Sequence, residues 1–387
     1  MTSFLRTSYF PAKIFLPRIA GLLKWELNNS EIFIRKCALK TIRKISYLYK
    51  KFKERVILGH LGVILFNYIK GINSFLIEDL IYGLESVIRD FPAEYCIPPL
   101  NKIIPEVLFL MEKKKKKIGN SFFKIIFTIT KKGSIFLPRK EQFRLIVLLI
   151  QTLKGGTFQS EKLIITSISK IGLTIGPLPV VNILLNYLEK SNKKFNISLS
   201  VLLSSLIINY GPQFVFPKLL VRLNSGGGES YFNFFFTLLC LIETLHSSFF
   251  FYYFNPVCLT LEKIFKEQMN LNNPILFLVI GQIFRKTKNY GLVINFSTLI
   301  EKIWSEFCYL KKETLKFAIF SLKTLPRHFK TFQFSNFLSK GIFHPSERNR
   351  KFFWKFFYAL NLRDSPDLIN FYLISGSNRF KLGEDFF

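Results

Sequence analysis

Prolines return along this chain at a nearly constant interval. Pro138, Pro179, Pro217 and Pro256 are separated by 41, 38 and 39 residues. Pro105 lies 33 residues before Pro138, and Pro17 lies 88 before Pro105, which is two steps of 44. Pro366 lies 110 residues beyond Pro256, or three steps of about 37. Apolar helical patterns accompany them: PLPVVNILLNYL after Gly176, FPKLLVRL from Phe216, NPVCLTLEKIF from Asn255. The phrase IFLPR occurs at 14–18 and again at 135–139. Proline fits the first turn of a helix, where its missing N–H has no partner to lose, and is costly further in. The interval therefore predicts one proline-opened helix per repeat.

Each repeat has room for two helices of about 15 residues and two short turns, the period of HEAT and armadillo arrays. One such hairpin cannot bury its apolar face alone, and stacked neighbours bury it together. The expected fold is all-α, an α-α superhelix (HEAT/armadillo-like solenoid) of about nine or ten helical hairpins. No domain boundary is evident, so a single solenoid is expected over residues 1–387, with 1–14 a poorly ordered lead-in.

The main rival is a membrane protein, because residues 234–254, FFFTLLCLIETLHSSFFFYYF, are apolar in nearly unbroken blocks. A spanning helix needs roughly 20 apolar residues to cross about 30 Å. Glu243, His246 and two serines interrupt this stretch. A helix from Tyr231 to Leu245 is only about 22 Å long. The longest uncharged run, FNISLSVLLSSLIINYGPQFVFP at 195–217, is broken by Gly211-Pro212 and carries four serines. Within the repeat scheme, 231–246 reads as the first helix of a hairpin and SSFFFYYFN as the turn and start of the second, with the aromatic blocks facing adjacent repeats.

The net charge is +30, from 55 Lys+Arg against 25 Asp+Glu. Such an excess repels itself unless an anion neutralises it: nucleic acid, an anionic membrane surface or an acidic protein. Abundant Phe, Lys, Ile and Asn point to an AT-rich gene, which accounts for part of the bias. Cys37, Cys96, Cys240, Cys258 and Cys308 lie far apart without a C-x-x-C pair, so neither a zinc site nor a disulfide framework is indicated. His60, His246, His328 and His344 are equally scattered, and a structural role is expected for each. The N-terminus has no acidic residue before Glu26 but lacks the apolar core and cleavage site of a removed leader.

Three motifs invite over-reading. KKKKK at 113–117 follows PEVLFLME and sits where cations suit a helix C-terminus; a solvated loop and a phosphate-contacting loop both fit. SGGGES at 225–230 lacks the Lys-Ser/Thr of a phosphate loop and reads as a flexible inter-helix loop, and GHLG at 59–62 is not a nucleotide fingerprint. Carboxylates are scattered and no Ser or Cys has a partner base, so an enzyme is not expected, and no cofactor is indicated. What remains is a long helical surface with cations at turns and helix starts: Arg35-Lys36, Lys193-Lys194, Arg348 and Arg350-Lys351. It suits a phosphate backbone. The alternatives are a scaffold or nuclear transport adaptor for extended protein partners, and a multispan membrane protein.

Five stretches, in order, resemble the C-terminal part of the large HEAT-repeat subunit of splicing factor 3b, within the U2 snRNP. They are LLKWELNNSEIFIRKCA (22–38), ILGHLGVILFNYI (57–69), TIGPLPVVNILLNYL (174–188), YGPQFVFPKLL (210–220) and GIFHPSERNRKFFWKFFYAL (341–360). The resemblance runs from about residue 15 to the end and is most specific in the last stretch. It implies a nuclear, non-catalytic pre-mRNA splicing factor that helps to hold the duplex of pre-mRNA branch site and U2 small nuclear RNA. The family grips the bulged branch adenosine between adjacent repeats, closed by a small zinc-bearing subunit and cradled by a β-propeller subunit. An unstacked base held by apolar walls with cations on its phosphates is physically sensible.

By that resemblance the pocket falls around helices starting near 158 and 195. Ile165, Ile197 and Val201 match the apolar lining and Lys162 a basic position. Lys154, Lys193 and Lys194 complete the expected nucleic-acid-binding set; no catalytic, metal or cofactor residue is assigned. Taken position by position, a core role is the stronger reading of Ile165, Ile197 and Val201. The chain also departs from the family. Phe158 and Glu161 stand where Lys and Arg are expected, leaving phosphate contact to Lys154 and Lys162. The family's long N-terminal portion is absent, so a reduced form, part of a split subunit and a fragment all fit.

Overall fold

The computed structural model describes residues 9–323 apart from 72–75, 93–94, 114–118, 134–136, 154–157, 191–192, 226–229, 268–273 and 288–311, with scattered positions between 345 and 354. Among these residues are fifteen α-helices, a 3₁₀ turn at Pro212–Phe214 and no strand. The chain divides into two compact units, Met1–Val180 and Val181–Phe387.

The first unit holds α1 (Tyr9–Leu27), α2 (Ile32–Lys51), α3 (Arg55–Gly71), α4 (Ile77–Asp90), α5 (Leu100–Lys113), α6 (Asn120–Gly133), α7 (Arg139–Thr152) and α8 (Phe158–Ile175). Consecutive helices pair as hairpins, α1 with α2 through α7 with α8. The trailing helices α2, α4, α6 and α8 then pack side by side in order, while α1 packs on α3 and α5 on α7 in the other layer. Helix α9 (Pro177–Glu189) crosses the division. The second unit holds α10 (Lys193–Tyr210), α11 (Phe216–Ser225), α12 (Ser230–Thr244), α13 (Ser247–Glu267), α14 (Pro274–Thr287) and α15 (Lys312–Lys323). There α10, α12, α14 and α15 form one layer, with α11 against α13 in the other. This is the α-α superhelix arrangement of HEAT and armadillo proteins. None of the described helices is long and apolar enough to cross a membrane.

Periodic apolar residues drive the stacking. In α4, Leu80, Ile81, Leu84, Val87 and Ile88 are all within 1% of full burial. Each such side chain removed from water contributes roughly 1.5–3 kcal/mol before conformational entropy is charged against it. Polar ties then join each hairpin to the next. Arg144 donates to both carboxylate oxygens of Glu112 at 2.9 and 2.6 Å. Thr128 Oγ1 donates to Glu85 at 2.8 Å, and Lys36 lies 3.8 Å from Asp79. In the second unit Arg222 reaches Glu189 and Asn186 at 2.9 and 2.8 Å, Asn233 donates to the Leu188 carbonyl at 3.1 Å, and Ser200 and Thr237 share a buried hydrogen bond of 2.8 Å. The partners are 32 to 45 residues apart, one repeat. Exposed ion pairs of this kind are worth at most about 1 kcal/mol, so burial supplies the stability and the ties help to set register.

All six described prolines of the series lie on leading helices: Pro17 in α1, Pro105 in α5, Pro138 capping α7, Pro179 in α9, Pro217 in α11 and Pro256 in α13. The 88-residue interval arises because α3 carries none. Three behave as expected: Pro138 is an N-cap, and Pro179 and Pro217 sit in first turns. Pro17, Pro105 and Pro256 instead lie inside their helices. Each removes one backbone bond, and the buried stripe on either side, such as Phe254, Val257, Cys258 and Leu261 around Pro256, keeps the helix continuous. Pro366 falls outside the described residues.

The aromatic stretch also differs from expectation. SSFFFYYFN is not a turn but the opening of α13, and α12 pairs back onto α11 rather than forward. The connection is only Leu245-His246, with the His246 ring nitrogen Nδ1 2.9 Å from the Ser248 hydroxyl. Phe250 and Phe254 are buried edge-on at 6.5 Å, and Tyr253 stacks on Phe216 of α11 at 4.9 Å. Phe249, Phe251 and Tyr252 are exposed. Lys113 ends α5 as the dipole favours, while 114–117 lie outside the described residues. SGGGES joins α11 to α12. The GHLG glycines lie within α3, where a Cβ on Gly62 would strike the Ile97 carbonyl oxygen: they are packing glycines.

Candidate nucleic-acid interface

Helix α8 combines a buried apolar face with a more exposed face that mixes polar and apolar residues. Ile164, Ile168 and Ile171 are fully buried. Lys162 is exposed, Ile165 and Lys170 are half-buried and Leu173 is exposed. Thr166 Oγ1 donates to the Lys162 carbonyl at 2.8 Å and Ser167 to Leu163 at 2.7 Å, so both hydroxyls are satisfied within the helix. Phe158 begins α8, and Glu161 occupies its first turn, where a carboxylate suits the helix dipole. That placement gives Glu161 a local role at the start of α8.

Helix α10 is apolar on nearly every side. Leu199, Leu202, Leu203 and Leu206 are fully buried, yet Ile197 is 53% and Val201 45% exposed. Ile208 continues their stripe at 72%. The core role favoured for Ile197 and Val201 is therefore not what the structure shows; half-buried Ile165 lies between the two readings. The serines turn inward: Ser200 pairs with Thr237, Ser204 donates to the Ser200 carbonyl at 2.9 Å and Ser205 to Leu202 at 2.7 Å. Lys193 and Lys194 open α10. Lys154 lies outside the described residues. Sequence reasoning missed Ile208 and Leu173, although helical spacing from Val201 and Ile165 reaches them.

Lys162 and Ile165 thus share α8 of the first unit, and Ile197 and Val201 share one face of α10 in the second. Elsewhere in the first unit, Arg43 of α2 and Lys124 of α6 lie 4.6 and 5.3 Å from the ring centre of Tyr82 on α4. Burial raises the Tyr82 pKa and Arg43 opposes that rise. Not every turn cation is available to a ligand. Lys36 pairs with Asp79, Lys351 with Glu347 at 2.6 Å, and Arg350 donates to the Pro345 carbonyl at 2.7 Å. Arg348 lies outside the described residues. Among the described residues no cluster of His, Cys, Asp and Glu could hold a metal.

No protein-family profile matches the chain. It is 21% identical over 208 residues to the U2 snRNP component prp10 of Schizosaccharomyces pombe, covering 54% of this chain and 17% of that protein. It is 22% identical over 174 residues to the U2 snRNP component HSH155 of Saccharomyces cerevisiae, covering 45% of this chain and 18% of that protein. Each match takes in less than a fifth of the relative's own length. Among solved structures, that of Kap121p aligns with a TM-score of 0.59 at 12% identity, over 93% of this chain and 39% of that one, a likeness of fold. The chain is thus similar, in part of its length, to U2 snRNP components of two yeasts.

Proposed function

We propose that this chain is a non-catalytic helical scaffold of a U2 snRNP-type splicing particle, acting in the nucleus and corresponding to the C-terminal part of the large splicing factor 3b subunit. The observation that carries the reading is the similarity to two named U2 snRNP components across about half of the chain. The geometry supports an RNA-holding role. Exposed Ile197 and Val201 on α10 offer an apolar surface against which an unstacked base, the branch adenosine in this reading, can lie. Lys162 on α8, Lys154 before it, and Lys193-Lys194 at the start of α10 supply cations for the phosphates of the branch-site/U2 snRNA duplex. Ile165, half-buried, follows Lys162 by three residues on the same helix. A β-propeller subunit and a small zinc-bearing subunit are the proposed protein partners.

The test is crosslinking of purified chain to branch-site RNA in a splicing extract. Lys154→Glu with Lys162→Glu should reduce crosslinking at least tenfold while leaving helical content intact. Unchanged crosslinking in that double variant removes α8 from the interface. Retention of U2 snRNA by the tagged chain from nuclear extract supports the particle assignment, and its absence there rejects it.

A further inference from the structure

We propose that a groove across α12, α14 and α15 is a docking site for an acid-flanked amphipathic helix of a partner protein. The groove has a volume of about 140 Å³ and is lined by Leu239, Glu243, Leu278, Gly281, Gln282, Arg285 and Phe320. All three helices belong to the second unit and pack side by side in one layer. Gly281 fixes the width: a Cβ there would lie 3.1 Å from Ser321, whose hydroxyl donates to the Phe277 carbonyl and ties α15 to α14.

The lining chemistry selects the occupant. Leu239 and Leu278 are half-buried and Phe320 is 53% exposed, so apolar surface stands open to water within a formed recess. Phe317 and Lys316 are exposed on α15, a turn before Phe320. Two of the charged groups nearby are engaged. The Gln282 amide donates to the Glu243 carboxylate, and Lys286 donates to the backbone carbonyls of Glu243 and Leu245 at the end of α12, at 3.0 and 2.5 Å. Arg285 of the lining is an exposed cation, and so is Lys316, one turn before Phe320 on α15. Leucine-type anchors at helical spacing match the floor, and carboxylates flanking them match Arg285 and Lys316. An RNA strand fits poorly, because the lining carries one cation and one carboxylate rather than a row of cations.

The proposal is independent of the RNA reading, and the test separates them. A fluorescein-labelled helical peptide with leucines at i, i+3, i+4 and i+7 and glutamates on both flanks is titrated into the full chain by anisotropy. A lysine-flanked counterpart and a labelled uridine-rich 12-mer RNA are run alongside. The glutamate peptide should bind, and Leu278→Arg should weaken it at least tenfold. Phe320→Glu, a surface change that spares the core, should do the same, which covers misfolding of the first variant. Arg285→Glu should weaken the glutamate peptide about fivefold or more and strengthen the lysine peptide, a reversal that mere structural damage does not produce. RNA affinity should be unmoved by all three. Equal binding of both peptides, no response to Phe320→Glu, or loss of RNA affinity in the groove variants would each overturn the proposal.

Discussion

Ile197 and Val201 stand in water while Leu199, Leu202 and Leu203, one or two residues away, are fully buried. The pair can therefore be charged without touching the core. Ile197→Glu with Val201→Glu should change the unfolding free energy by no more than about 0.5 kcal/mol per site, yet lower RNA crosslinking. Leu203→Ala should cost about 2–5 kcal/mol by chemical denaturation. Sequence alone favoured the core for both exposed residues because apolar residues fall on nearly every side of α10, so periodicity does not tell its faces apart. Buried thiols give a second residue-scale prediction. Burial pushes Cys96 and Cys240 up to about 11 and Cys258 higher still, whereas Cys37 is exposed. A raised pKa leaves the unreactive thiol in place below it. Among these four, Cys37 should alkylate first in the native chain at pH 8, with Cys96 and Cys240 reacting only on unfolding or as pH approaches 11; mass mapping of iodoacetamide adducts checks the order. Gly62→Ala, whose Cβ would meet the Ile97 carbonyl, should lower stability by about 1–3 kcal/mol. GHLG could be excluded as a phosphate loop from its spacing. Its packing role was invisible because the residue it accommodates, Ile97, lies beyond the whole of α4 in sequence.

At the scale of helices, the proline interval disclosed the repeat length but not the place of each proline within its helix. Pro138 precedes the first backbone bond of α7 and Pro256 interrupts the middle of α13. The two should respond oppositely to replacement. Pro256→Ala restores an N–H and relieves crowding on an exposed site, and should raise the thermal midpoint, by up to about 3 kcal/mol in stability. Pro138→Ala should leave stability unchanged or slightly lower it, through the freer unfolded chain. Calorimetry on both decides. The phase of the hairpins was misread at 245–254 for a related reason. A connection of two residues without glycine or proline carries no punctuation, and a run of aromatic residues fits either a turn lined with side chains or a helix. Burial of Phe250 and Phe254 on one side of α13, set by α11, resolves the choice.

For the molecule as a whole, the 55 Lys and Arg behind the net charge of +30 overstate the cations free to contact a ligand. Lys36, Arg144, Arg222, Lys286 and Lys351 are spent on partners within the chain. Salt dependence should expose the remainder. The logarithm of RNA affinity should fall linearly with the logarithm of salt, by about 0.7 per phosphate neutralised on a single strand. Lys154→Glu with Lys162→Glu should lower that slope by about one to two; an unchanged slope places the contacts elsewhere. The repeat architecture was legible because many turns obey the same period. The site was legible only in part, because exposure is a property of neighbours that a single sequence does not reveal.

The polar ties of each unit join partners one repeat apart, and their mechanical meaning is distinctive. Pulled from its ends, a unit held by ties of this length passes the load from one repeat to the next. It should yield hairpin by hairpin, releasing about forty residues at each rupture, and recoil in the same increments when the tension is relaxed.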